Sequence, residues 1–551
     1  KINKLLCLLI VAVIFLIAIL SSVPPVSRDA LVHHLAVPKI YLRHLGMHEL
    51  PSMDFSYYPM NIDLLYLIPL ILNKPIAAKF IHFSFSLLTA WLLFIYIKDK
   101  LNKTYGLIGA LVFITTPIIV KLSVTAYVDL GLIFFCWASI YYLFRWHETQ
   151  FGEKTLFLSA IFCGLAIGTK YNGLLFFLIM SCFVPLLFSL SKNADLSANN
   201  VATRHIHSIR GVGWGLTFVI ISLIIFSPWM IRNIIWKGNP IYPLYDNIIQ
   251  QKMGDTSLID QEGSHITHNA FWIRRYVYNE SIGETLTIPI RAFFQGKDDN
   301  PKYFDGKLNP GLLLLSIVAF VGLKKNHTIQ PWRAHRNILA LFIILFITLV
   351  LFKVDYRIRY MAPSIPPLVV LSVFGLKNLS DILNPKFAPH RIFCNAIPIL
   401  IITCMLGFNG FYIYNQFKLI RPINYITGKI GRNDYISRYV KEHPVVIHAN
   451  KILPDDAKIL CLSLGKRTFY VDRDVHLSLD FFNTGDDNFS EASILKKLKK
   501  YGTTHVIIDR NNFIRRINHL SKTEISVFLE TIRNHTYSLF TNNGVELLAL
   551  L

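Results

Sequence analysis

The sequence predicts a polytopic α-helical membrane protein with a small C-terminal α/β domain. Three observations predict it. Of 551 residues, 53% are hydrophobic and only 16% are charged. The mean hydropathy is +0.43. The apolar residues gather in long runs, with the basic residues between them. A soluble chain usually carries about 25% charged residues, and forty Phe in apolar runs exclude disordered, collagenous and disulfide-scaffold classes. The net charge of +22, from 56 basic and 34 acidic residues, would suggest nucleic acid on a soluble protein. Between apolar runs it reads instead as loop charge, and no nucleic-acid partner is needed.

A hydrocarbon core about 30 Å thick needs roughly 20 apolar residues per helix. About eleven spans are expected: Leu5–Leu20, Ile76–Ile97, Tyr105–Val120, Leu130–Phe144, Leu156–Thr169, Leu174–Leu190, Val212–Met230, Gly311–Leu323, Ile338–Phe352, Met361–Leu376 and Phe393–Tyr414. The first is followed by Ser21-Ser22-Val23-Pro24-Pro25, a poor cleavage site, so it reads as a retained anchor rather than a signal peptide. The chain starts at Lys1, so an initiator Met was trimmed or lies upstream. Six of the seven cysteines lie in apolar runs, and only Cys461 lies in a polar region; none has metal-ligand spacing.

Lysine and arginine set the orientation. An inward N-terminus places Lys98, Lys100 and Lys103 in one cytoplasmic turn. Later cytoplasmic loops then hold Arg145 and Lys154; Lys192, Arg204 and Arg210; Lys324, Lys325, Arg333 and Arg336; and Lys377, Lys386 and Arg391. The loops 21–75 and 231–310 and the tail 415–551 face outward, which divides the chain into a membrane module, 1–414, and an extracytoplasmic domain, 415–551. Within the tail, Ile459–Leu464 and His505–Asp509 read as buried strands and Ser490–Tyr501 as an amphipathic helix. Tyr537–Phe540 and Val545–Leu550 read as a final hairpin.

The first outer loop is the richest in chemistry. Ser27 is a plausible N-cap for a helix from Arg28 to about His44, with Gly46 past its end. Asp29 then lies in the first turn, where the helix dipole favours an ionised carboxylate. His33 lies four residues on, on the same face. At a membrane-bounded cavity the pair makes a general base with an orienting partner; alternatively Asp29 is only a helix-terminus carboxylate. Asp129 abuts the fourth apolar run, where an acid must be satisfied or functional; its alternative is a simple helix cap.

Cations also sit at outward span ends: Lys170 in a tight turn, Arg232 after the seventh span, and Arg357 and Arg359 in Asp355-Tyr356-Arg357-Ile358-Arg359-Tyr360. Against the positive-inside trend they suggest an anionic lipid headgroup such as a phosphate, with interfacial snorkelling as the alternative for each. Gly238-Asn239-Pro240-Ile241-Tyr242-Pro243 reads as a rigid turn. His265 and His268 lack a third metal ligand.

In this order the landmarks resemble the lipid-linked-sugar glycosyltransferases of the GT-C fold. The nearest are the bacterial group related to protein O-mannosyltransferases and the aminoarabinose transferase that modifies lipid A. The resemblance is carried by Asp29-Ala30-Leu31, His33-His34-Leu35, Pro38-Lys39, Tyr58-Pro59 and Tyr127-Val128-Asp129. It continues through Gly168-Thr169-Lys170-Tyr171, Pro228-Trp229, Arg232-Asn233, Gly238-Asn239-Pro240, Tyr242-Pro243 and Arg359-Tyr360 with Pro363.

The resemblance implies a polyprenyl-phosphate sugar donor, an inverting transfer to an unidentified glycan, lipid or protein acceptor, and a location in the bacterial inner membrane. It implies Asp29 as the catalytic base and Lys170, Arg232 and Arg359 at the donor phosphate. His33, His34, Tyr58, Asn239 and Tyr360 are further site candidates. Many relatives pair two acids in the first outer loop; here Ala30 follows Asp29, so the second acid falls to Asp129. No cofactor is expected, and a divalent metal stays open. A lipid-pyrophosphate enzyme such as an O-antigen polymerase or ligase and a secondary transporter are the competing readings. A transporter would carry its ionisable residues near mid-membrane rather than at the outer edges.

Overall fold

The computed structural model describes residues 1–192, 201–246, 270–321, 332–351, 356–383, 391–462, 464–477, 490–516 and 521–551. His265, His268, Lys324, Lys325, Asp355 and Lys386 lie outside the described residues, as do the side chains of Lys192, Arg204 and Arg391.

Over its described residues, each of the eleven expected apolar runs lies mainly on helical structure. Among the described residues, seven helices are long and apolar enough to cross a membrane, or eight if one bent pair counts as a single span. That pair, Lys103–Thr115 and Pro117–Ser123, bends by 63°. Pro117 supplies no N–H to the ladder and holds Thr116 out of the helical region at ψ 128. Asp129–Glu148, Glu153–Ile167 and Pro310–Val318 fall short of that test, so the count of eleven spans is not established.

Two helices outrun their apolar cores. Val201–Lys237 continues past Met230, so Arg232 and Asn233 stand on the helix rather than in a loop after it. Arg391–Ile420 continues past Tyr414, so the boundary expected at 414 falls inside a helix, which ends where Arg421 takes φ 50.

Gly375 lets the helix Ile365–Leu383 lie on Pro310–Val318, because a Cβ there would run into the Leu315 carbonyl. Across this contact Ser372 donates to the Leu312 carbonyl at 2.9 Å and Ser316 to the Leu368 carbonyl at 3.2 Å.

The C-terminal region forms a five-stranded sheet of β1 (Lys458–Leu462), β2 (Asp474–Leu477), β3 (His505–Asp509), β4 (Thr536–Asn542) and β5 (Val545–Leu550). Their order is β2-β1-β3-β5-β4. β1 pairs parallel with β2 and β3, and β5 pairs antiparallel with β3 and β4. The expected hairpin is present: Asn543 and Gly544, at φ 51 and 74, make the two-residue turn that matches strand twist. The edge strand β2 was not expected, being four residues long with one buried side chain.

Side chains alternate across the sheet. Leu460, Val506, Ile508 and Leu548 pack with Ile494, Leu498, Phe513 and Phe528. Ile459, Cys461, Ile507 and Leu547 face the opposite way, into a core shared with Val37, Tyr41, Met60, Tyr171 and Trp229. The sheet is thus seated on the first outer loop and on the ends of the membrane helices.

Candidate active site

The first outer loop leaves the helix Ile2–Ser21 and turns back on itself. A helix does begin near Ser27, whose carbonyl accepts the Leu31 N–H at 3.2 Å, but no side-chain cap is made at Asp29. From Ala30 to His34 the helix widens into a π-turn, closed by the Leu35 N–H on the Ala30 carbonyl at 2.9 Å, before resuming as Ala36–Arg43. Single π-turns inside helices are frequent at functional sites.

Asp29 meets a residue from the other end of the membrane region. Arg359, in the 3-10 segment Ile358–Ser364, donates from Nη1 to Asp29 Oδ2 at 2.6 Å. The side chains keep 12% and 25% of their surface open, so this is a partly buried, charge-assisted pair. Burial alone would raise the Asp29 carboxyl, but Arg359, with His33 and His34 nearby, holds it well below the usual carboxylate range. The expected Asp29–His33 base pair is replaced by this ion pair. His33 stacks on Phe55 at 4.5 Å, and its Nδ1 is buried without a partner.

A second pair stands beside the first. Asp129 is the first residue of the helix Asp129–Glu148 and is 1% exposed. Lys170, in the turn after Glu153–Ile167, donates to Asp129 Oδ1 at 2.8 Å. The two pairs share their surroundings. The Lys170 ammonium and the Arg359 guanidinium both lie 5.3 Å from the centroid of the Tyr360 ring. Arg359 also lies 5.5 Å from the Tyr127 ring centroid. Asp129 Oδ2 and Arg359 Nε are buried with no hydrogen-bond partner among the described residues. Unsatisfied buried polar atoms are rare in folded proteins, and three of them, counting His33 Nδ1, gather here.

Two contributors were not singled out from the sequence. His34 Nδ1 lies 2.7 Å from Asp63 Oδ1, with both side chains almost fully buried. His82, on the helix Pro75–Lys100, accepts the Leu130 N–H at Nε2 (2.9 Å), so its Nδ1–H is left for the Leu122 and Thr125 carbonyls at 3.0 and 2.9 Å. It thereby fixes the start of the helix that carries Asp129. The signals were present: a carboxylate in the apolar stretch Ile62–Ile71 and a histidine inside the run Ile76–Ile97.

The remaining candidates form a separate cluster. Arg232 donates to the Tyr57 and Tyr58 carbonyls, the latter at 3.1 Å, and to Asn233 Oδ1. Its guanidinium carbon sits 4.7 and 4.9 Å from the Trp229 and Trp236 ring centroids. Asn239, fully buried, braces its own turn through the Leu244 carbonyl, Asp246 and the Ile241 N–H. Tyr58 packs on Tyr171 at 5.0 Å. Thus Asp29, His33, His34, Asp129, Lys170, Arg359 and Tyr360 are brought together, whereas Arg232, Tyr58 and Asn239 lock the neighbouring turn. Arg357 pairs with Asp305 at 3.5 Å. Among the described residues no group of three His, Cys, Asp or Glu is placed to hold a metal.

Residues 57–235 match the family model described as dolichyl-phosphate-mannose-protein mannosyltransferase, a segment that takes in Asp63, Asp129, Lys170 and Arg232. No curated protein sequence matches the chain significantly. Among solved structures, ArnT from Cupriavidus metallidurans in the apo state superposes with a TM-score of 0.59 at 11% identity, covering 98% of this chain and 97% of that one. The same protein bound to undecaprenyl phosphate gives 0.55 at 12% identity with the same coverage. The Archaeoglobus fulgidus oligosaccharyltransferase in the apo form gives 0.50 at 11%, covering 91% of this chain and 69% of that one. The family-model match thus covers residues 57–235, and the chain shares the fold of ArnT from end to end.

Proposed function

We propose that the chain transfers a sugar, with inversion, from a polyprenyl-phosphate donor to an acceptor hydroxyl on the extracytoplasmic face of a bacterial inner membrane. The observation that carries this reading is the pairing of each candidate acid with a candidate phosphate-binding cation: Asp29 with Arg359 and Asp129 with Lys170. A sugar–phosphate–lipid donor is a monoanionic diester, and its lipid-phosphate product is a monoester that gains charge as the sugar leaves. Two fixed cations stabilise that developing charge in the transition state. A phosphate drawn to Arg359 and Lys170 competes with the carboxylates now holding them, which unmasks Asp29 as the donor arrives. Asp29 then accepts the acceptor's proton while the acceptor oxygen attacks the anomeric carbon opposite the phosphate.

Three further observations support the reading. ArnT has been crystallised with undecaprenyl phosphate. The matched family model is named for a lipid-phosphate-mannose donor and a protein acceptor. Lys100, Arg145, Arg333 and Arg336 lie on helix ends remote from Asp29, which supports a cytoplasmic N-terminus and an extracytoplasmic C-terminal domain. Arg359 and Lys170 supply the positive charge at the phosphate, so transfer is expected without a divalent metal.

The test is incubation of purified protein in detergent with radiolabelled polyprenyl-phosphate hexoses and, in parallel, their pyrophosphate-linked counterparts. Sugar release from the monophosphate donor alone supports the proposal. Turnover confined to the pyrophosphate donor would move the enzyme to the polymerase or ligase class.

A further inference from the structure

The ion pair that defines the site also poses a chemical problem. Once the lipid phosphate leaves and Arg359 returns to it, the Asp29 carboxylate is a weak base again, so a proton placed there during transfer does not stay. A better proton acceptor stands on the same turn. In the π-turn Ala30–His34 the wider i→i+5 winding brings both His33 and His34 to the side of Asp29, and both act on its charge.

The two histidines differ in what holds them. His33 is stacked on Phe55 with an unpartnered Nδ1. His34 is bound through Nδ1 to Asp63 at 2.7 Å. A carboxylate on Nδ1 fixes the tautomer and leaves the Nε2 lone pair for incoming protons, as in an aspartate-oriented general base. Both side chains are almost fully buried, with 7% of the His34 surface and 4% of the Asp63 surface open. Its ring centroid lies 5.5 Å from that of Tyr127, which Arg359 also covers.

Given the glycosyl-transfer reading, on which this step rests, we infer that the Asp63–His34 pair is the terminal proton acceptor of the reaction, receiving at His34 Nε2 the proton that the acceptor hydroxyl gives up through Asp29. The balance is complete. The acceptor O–H bond breaks, its proton passes to Asp29 and on to Nε2, and its electron pair forms the bond to the anomeric carbon. The bond from that carbon to the phosphate oxygen breaks, and its pair stays on the phosphate. The imidazolium left beside the Asp63 carboxylate returns its proton to water after the products leave.

Electrostatics agree with the geometry. Burial pushes the Asp63 carboxyl up and pushes the His34 imidazole down. The buried pair therefore resists net charge and exchanges one proton. The charged groups facing the pair are Asp29, Asp129, Lys170 and Arg359, with His33, His82, Tyr41, Tyr66 and Tyr127 adjoining; the two acids and two cations offset each other. The pair accepts a proton only after losing its own, so turnover rises with pH across the range in which the pair gives up its proton.

The experiment compares the full-length wild type with Asp63→Asn and His34→Gln, both close in size to the native residues. Sugar release is followed from about pH 5 to 9 across the histidine range, beside direct binding of polyprenyl phosphate. Expected is a fall in kcat of about a hundredfold or more in each variant, loss of the rising limb, and little change in polyprenyl-phosphate affinity. Retained binding shows that a variant is folded; if one variant fails to fold, the other decides. A variant that binds polyprenyl phosphate and keeps the wild-type kcat and pH limb overturns the proton-acceptor assignment while the glycosyltransferase stands. A folded wild type that releases no sugar from any lipid-phosphate donor takes down both.

Discussion

Arg359 Nη1 lies 2.6 Å from Asp29 Oδ2, joining two residues 330 positions apart in the chain. The contact links the start of the first outer loop to the 3-10 turn that opens the helix Ile365–Leu383. It places a candidate base and a candidate phosphate ligand in direct competition. The donor phosphate and the Asp29 carboxylate cannot both hold the same guanidinium at full strength.

That competition sets the outcome of removing the cation. Arg359→Gln is expected to weaken polyprenyl-phosphate binding about tenfold or more, the worth of a hydrogen bond to a charged group. Lys170→Ala should raise the KM for donor more than that for acceptor. Titration of polyprenyl phosphate against each purified variant checks the first, and steady-state kinetics the second; unchanged donor dependence contradicts the assignment.

Arg232 is expected to behave differently. Its guanidinium is hydrogen-bonded to the Tyr57 and Tyr58 carbonyls and enclosed by Trp229 and Trp236. Arg232→Ala should destabilise the folded protein by about 2 to 4 kcal/mol, because it removes the donor of the Tyr58 carbonyl, leaves the Tyr57 carbonyl with Asn233 Nδ2 alone and empties the space between the two Trp rings. Donor affinity of the folded fraction should hold. Thermal unfolding in detergent with a parallel binding measurement separates the two effects.

The contrast between Arg359 and Arg232 marks the limit of sequence reading here. Both looked alike as outward cations at span ends. Apolar runs placed the helices, since about 20 residues of hydrocarbon-compatible sequence have few alternatives. Alternation placed β1, β3 and the final hairpin. Partner choice followed from none of this. Arg232 stands on a helix that outran its apolar core into the Trp-rich interface, whereas Arg359 reaches Asp29 only through tertiary packing. The π-turn at Ala30–His34 was equally illegible, because i+4 and i+5 neighbours look ordinary in a string of residues. Asp63 is illegible for the same reason: it stands 29 residues beyond His34 and meets it only through folding.

The C-terminal domain is expected to be needed for turnover. Lys39, ten residues beyond Asp29, donates to the Phe469 and Val471 carbonyls at 2.8 and 3.1 Å and to Asp472 at 2.6 Å. The Phe469 N–H bonds the Leu31 carbonyl at 3.2 Å, and the Tyr470 hydroxyl bonds that of Pro25 at 2.8 Å. The helix carrying Asp29 is thus gripped on both sides of the carboxylate. Phe469→Ala removes a side chain 5% exposed and should cost about 3 kcal/mol. Faster amide exchange over residues 25–43, with reduced kcat, is the expected result for it and for Lys39→Met.

Chelation provides a further check. With Arg359 and Lys170 as the phosphate cations, sugar release is expected to continue in excess EDTA at an unchanged rate. A rate restored only by an added divalent ion would move the phosphate charge onto a metal.

The most direct measurement sets wild type beside Asp29→Asn, with radiolabelled polyprenyl-phosphate hexose as donor and thermal unfolding as the control for folding. The pairing of Asp29 with Arg359 predicts sugar release by wild type, a loss of about a hundredfold or more in the variant, and retained polyprenyl-phosphate binding in both. Equal release by the two proteins would contradict Asp29 as the group that takes the acceptor's proton.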